Sequence, residues 1–161
     1  MFLLNTNTTA LNAELFAPLS GEKLIHFFIL DPLKSTELLV ESLAFRDCAN
    51  LKFLMFYGNR VSSIALDAFV GLHKLEVLGL VDNGLDMLHP EWFQDLHNLQ
   101  KIGFVKNKVK KIPDGAFRHL TNLKALSLNG NQIATISKKT FEANEQLLEA
   151  VNLNSFYPII G

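Results

Sequence analysis

Five phenylalanines, Phe45, Phe69, Phe93, Phe117 and Phe141, stand 24 residues apart, and four asparagines, Asn59, Asn83, Asn107 and Asn131, keep the same interval. A fixed period of this length constrains the fold before any local propensity does. The apolar columns between them repeat as well. One unit reads Leu51, Leu54, Phe56, Asn59, Val61, Ile64, Phe69, Leu72; the next reads Leu75, Leu78, Leu80, Asn83, Leu85, Leu88, Phe93, Leu96. The third is Leu99, Ile102, Phe104, Asn107, Val109, Ile112, Phe117, Leu120. In the fourth, Leu123, Leu126, Leu128, Asn131, Ile133, Ile136 and Phe141 hold the register, and Asn144 interrupts the last column.

Each column has a physical reason. Leu78 and Leu80 are two apart, the period of a strand with one buried face. The chain must then turn sharply, and Asn83 sits where its amide satisfies backbone groups inside the turn. Stacking aligns these asparagines into a hydrogen-bonded ladder, while the following aliphatic columns and the phenylalanine fill the wedge behind the strands. One coil cannot bury its own core, so stability comes from neighbours stacked about 4.8 Å apart along a parallel sheet.

From Leu51 to Gln146 the residues follow LxxLxLxxNxLxxLxxxxFxxLxx, and the chain resembles the typical, 24-residue class of the leucine-rich-repeat family. The resemblance implies an α/β repeat solenoid: a right-handed coil with a concave parallel sheet and an irregular or short-helical convex side. It also implies kinship with extracellular animal proteins, including Toll-type receptor ectodomains and matrix proteins, in which the concave face recognises a partner. The implied setting is extracellular recognition, innate immunity or adhesion. A cytoplasmic setting is the alternative, because the start of the chain lacks the basic and long apolar regions of a signal peptide.

The expected organisation is a single solenoid with regular repeats at 51–74, 75–98, 99–122 and 123–146. Residues 24–50 read as an irregular repeat, with Leu24, Phe27 and Ile29 in the strand and three extra residues around Pro32 to Leu38 predicting a bulged turn or a convex loop. Residues 1–23 read as the second half of another repeat, through Leu4, Asn7, Leu11, Phe16 and Leu19. Residues 147–161 read as a partial repeat in which Phe156 stands where the asparagine belongs. Neither end reads as a polar or cysteine-rich cap, which suggests a piece of a longer exported protein or a short intracellular form. Asn7-Thr8-Thr9 matches a glycosylation sequon, but a ladder asparagine is buried and the match is then accidental.

The only cysteine, Cys48, cannot form an intrachain disulfide and occupies a core leucine column, where it reads as a small buried hydrophobe. Net charge is -1, so no global field favours nucleic acid or an anionic membrane, and no apolar run approaches the ~20 residues of a membrane span. His73 and His97 share a column, but two histidines with no carboxylate or thiol beside them make a poor metal site. Neither a cofactor-binding motif nor a nucleophile with its base stands out, and the chain reads as a non-enzyme.

Function is therefore expected on the solvent side of the strands. A contiguous apolar patch of Phe28, Leu30, Phe53, Met55, Tyr57, Val77 and Val81 is expected in its N-terminal half, and a small, polar surface in its C-terminal half. That patch suits a protein ligand or co-receptor, with Phe53, Met55 and Tyr57 as anchors. The alternatives are self-association through the patch or the uncapped ends, and coverage of the patch by residues 1–23. Lys101, Lys106, Lys108, Lys110 and Lys111 crowd one repeat and form a candidate site for a glycosaminoglycan, lipopolysaccharide or acidic partner, tempered by Asp82, Asp86 and Asp114.

Overall fold

The strand columns of the sequence line up in space in a computed structural model of the chain, which describes residues 2–4, 8–19, 24–31, 37–144, 147, 151–152 and 159–160. Seven strands make one parallel sheet in the order β1 (Phe2–Leu4), β3 (His26–Leu30), β5 (Phe53–Tyr57), β7 (Val77–Val81), β8 (Lys101–Gly103), β9 (Ala125–Ser127) and β11 (Val151–Asn152). Phe27, Leu54, Leu78, Ile102 and Leu126 form one rank across the sheet, and Ile29, Phe56 and Leu80 form a second. All of them are buried. A slip of one residue in any strand would turn its apolar pair to solvent, so the core fixes the register.

Behind this sheet run the strands β2 (Ala10–Leu11), β4 (Leu38–Val40) and β6 (Val61–Ile64), a second parallel sheet; β10 (Thr135–Ile136) pairs with β12 (Ile159–Ile160). This second sheet is more order than the irregular convex side read from the repeat. Leu38 and Val40 alternate with exposed Leu39, the signature of a half-buried strand. In later coils the same path keeps isolated bonds, Lys108 N–H to Leu85 O at 2.7 Å and Gln132 N–H to Val109 O at 2.9 Å. The pairing of β4 with β6 shifts register between Leu38 and Leu39, where Ser62 of β6 has no partner in the ladder. Residues 32–36, Asn7 and Phe156 lie outside the described residues.

The asparagines close the turns. Asn107 Nδ2 donates to Leu80 O (2.6 Å) and Val105 O (3.3 Å), and its Oδ1 accepts from the N–H groups of Asn83 (3.3 Å), Gly84 (3.0 Å) and Leu85 (3.0 Å). Asn59, Asn83 and Asn131 repeat the pattern in part, and all four are buried. The residue before each asparagine is left-handed: Gly58, Asp82, Lys106 and Gly130 have φ of 70°, 56°, 55° and 70°. Two of the four carry side chains in a conformation that costs about 1 kcal/mol or more for such residues. The closed turn overrides that preference.

The wedge is aromatic. Phe16 packs on Phe45 (4.9 Å between ring centroids), Phe45 on Phe69 (5.9 Å), Phe93 on Phe117 (5.7 Å) and Phe117 on Phe141 (5.7 Å). Short turns carry them: α1 (Ala13–Phe16), with Asn12 as its cap, and 3-10 turns at Pro90–Phe93 and Lys138–Phe141. The column break at Asn144 is a structural device. Its buried Nδ2 donates to Phe117 O (3.0 Å) and Leu120 O (2.8 Å), so an amide there satisfies carbonyls of the preceding turn.

Two outcomes follow. Asn107→Ala strands several buried backbone groups, each costing about 1–3 kcal/mol, and is expected to lower unfolding free energy by at least about 3 kcal/mol in urea titration. Phe93→Ala is expected to cost about 3–5 kcal/mol. A loss below about 1 kcal/mol for Asn107→Ala would show that the ladder is dispensable.

Candidate binding face

On the outward side of the sheet the side chains fall into ranks across the strands. His26, Phe53, Val77, Lys101 and Ala125 form one; Phe28, Met55, Gly79, Gly103 and Ser127 form the next; Leu30, Tyr57 and Val81 form the third. The seven apolar residues singled out in the sequence therefore share one face and adjoin one another. They are less exposed than a bare patch: six are half-buried, and Tyr57 stands out at 44% exposure. The reason is mutual cover. Phe28 and Phe53 lie 4.8 Å apart at 32°, and His26 meets the Phe53 edge at 6.0 Å.

Met55 explains the edge of the patch. Its thioether lies over Gly79, in the space where a side chain would begin, and so buries that glycine. Gly103, one strand further, has only Val81 near its open side, at 4.0 Å from a notional Cβ. The aromatic half of the face thus passes into a shallow stretch of Gly103 and Ser127. The pairing of a long residue with a glycine 24 positions later was visible in the sequence, but nothing there gave the direction of the thioether.

The five lysines are all exposed, and the coil separates them. Lys101 is on the sheet face. Lys106 and Lys108 line a groove of about 480 Å³ beside the asparagine turns, together with Arg60, Glu37, Asp82 and the ladder residues Asn83 and Asn107. Lys110 and Lys111 are not among its lining residues. Arg60, which the sequence reading passed over, joins this groove but is held by Glu37 at 3.4 Å, so the groove carries both signs of charge.

Elsewhere the titratable groups have structural duties. Cys48 is buried, and burial with neighbouring Asp47 pushes its thiol up to about 11, which leaves it protonated and unreactive near neutrality. His119 accepts a bond from Arg118 Nε at 3.0 Å, and the His97 ring nitrogen lies 3.4 Å from its carbonyl. Desolvation, then Arg118 and His97, hold the imidazole below its ordinary value of 6.5. His73 and His97 each offer a backbone carbonyl to an asparagine of the next coil, Asn98 (2.7 Å) and Asn122 (2.8 Å). Among the described residues no three His, Cys, Asp or Glu side chains gather as metal ligands, and no helix is long and apolar enough to cross a membrane.

A coil of stacked parallel strands, closed by buried asparagines and presenting a graded outward face, defines a repeat scaffold of the recognition class. The family model for the leucine-rich repeat matches residues 38–85, 74–133 and 98–155, and the chain belongs to that family. No curated protein matches it. Among solved structures the chain is similar to TLR13, in the TLR13–ssRNA13 complex, with a TM-score of 0.79 at 22% identity. The match covers 95% of this chain and 21% of that one, so the chain spans a small part of that protein's length, and the likeness is one of fold.

Because the folded state holds His119 neutral, it contributes stability above pH 6.5 that is lost as pH falls through its lowered folded value. Melting temperature is expected to drop between pH 7 and pH 5, and the drop is expected to shrink in His119→Gln. An identical pH profile for the two proteins would mean that His119 carries none of the effect.

Proposed function

We propose that this chain is a recognition segment that binds a protein ligand or co-receptor on its sheet face, as part of an extracellular receptor-like or adhesion protein. One observation supports it above the others. Phe28, Phe53, Met55 and Tyr57 form a continuous aromatic and thioether surface on a rigid parallel sheet, the composition that interface centres favour. The coil itself is held by the buried inward ranks and the asparagine ladder, so the exposed Tyr57 contributes less to its stability than the inward columns do. TLR13 was solved with an RNA, but here a net charge of -1 and a half-apolar face favour a polypeptide.

The test is a binding screen of the purified chain against a panel of extracellular proteins, with light-scattering mass as the control. A ligand is expected whose binding Tyr57→Ala weakens about tenfold or more, with unfolding free energy changed by less than about 1 kcal/mol. A ligand indifferent to Phe53→Asp and Tyr57→Ala, but lost on reversing Lys106 and Lys108, would move the site to the turn groove. Oligomers that Phe53→Asp dissolves would assign the face to self-association instead.

A further inference from the structure

The charges on the outward face are few and uneven. Lys101 stands in the first rank, and one residue before the strands Lys52, Glu76, Gln100 and Lys124 form a further row joined by backbone hydrogen bonds. Lys52 Nζ is taken by Glu76 Oε1 at 2.8 Å, and Lys124 Nζ leans on Gln100 Oε1 at 3.4 Å. The ammonium of Lys101 has neither an ionic nor a hydrogen-bonded partner among the described residues, and the residue is exposed. It shares a rank with Phe53 and Val77, two strands beyond the aromatic cluster. Strand spacing of about 4.8 Å puts roughly 10 Å of sheet between the Phe53 and Lys101 backbones. Half-buried Val77 lies between them in that rank, and in the next rank the Met55 thioether lies over Gly79, so the apolar surface reaches the strand beside Lys101.

We propose that the partner of this face is a polypeptide segment carrying a large apolar side chain and, about three residues away, an aspartate or glutamate. The apolar group packs on Phe28, Phe53 and Met55, the segment crosses the strand that carries Val77, and the carboxylate meets Lys101. An extended chain advances about 3.3 Å per residue, so three residues span the distance. The unpaired positive charge selects an acidic partner, and the apolar surface beside it selects a large apolar side chain. This rests on the proposed function and narrows it from a protein ligand to an acidic, apolar linear segment.

The test is an immobilised array of synthetic peptides in which phenylalanine or leucine precedes glutamate, lysine or serine by one to six residues, probed with the intact chain and its variants. Glutamate peptides with a spacing near three are expected to bind best, about tenfold more weakly to Lys101→Glu. Lysine peptides of the same spacing are expected to bind Lys101→Glu better than the parent chain. Lys110→Glu, with the same change of net charge, is expected to leave the ranking intact, which separates a local contact from a global field. Glutamate and lysine peptides binding alike, or glutamate peptides indifferent to Lys101→Glu, would overturn the charge assignment. The proposed function survives that result if Phe53→Asp still abolishes binding. An array with no binding, or binding indifferent to Phe53→Asp, overturns both.

Discussion

Everything in this chain depends on the bond between an asparagine amide and the backbone of the coil before it. A strand that turns away from a sheet leaves N–H and C=O groups pointing into the core, where water cannot reach them. Asn83, Asn107 and Asn131 each supply both a donor and an acceptor at that point, in the span of one short side chain, and Asn59 donates to Ile29 O in the same way. The cost of leaving such groups unmet is what makes the turn occur at the same residue in every coil. The apolar ranks, the phenylalanine stack and the left-handed residue before each asparagine follow from that common turning point. Asp82 and Lys106 accept an unfavourable φ because the alternative is a broken ladder.

The period made the main sheet legible, since Leu78 and Leu80 cannot both face inward unless the neighbouring coils keep their register. The site's residues were legible for the same reason: a residue beside a buried leucine must face out. Other features lay beyond a one-dimensional pattern. The second sheet through Leu38–Val40 and Val61–Ile64 depends on how two coils happen to align, and the repeat pattern alone reads that stretch as irregular. The cover that Met55 gives Gly79 depends on a rotamer. Asn144 looked like a failure of the column, because only the structure shows which carbonyls lie beneath it. The lysines cluster along the chain, yet neighbours in sequence project from different sides of a coil, which disperses Lys101, Lys106 and Lys110.

The two sides of the sheet obey different rules. Inward ranks are held to leucine-like shapes by close packing, where one lost methylene is felt. Outward ranks have no such constraint, and here they run from Phe28 and Phe53 through Val77 to Lys101 and Ala125 within one molecule. A gradient from aromatic to cationic along a rank gives a ligand both an anchor and a direction. Because the strands underneath cannot shift independently, that surface is preorganised and loses little freedom when it is covered.

The ladder also has an orientation in time. Each amide donor belongs to the later coil and each carbonyl acceptor to the earlier one: Asn59 to Ile29, Asn83 to Phe56, Asn107 to Leu80, Asn131 to Phe104. A coil leaving the ribosome therefore cannot finish its own turn; it waits for the asparagine of its successor. At synthesis rates of about 5–20 residues per second, one repeat corresponds to a delay of roughly one to five seconds. During that interval the newest strand presents an open edge and an unfinished turn.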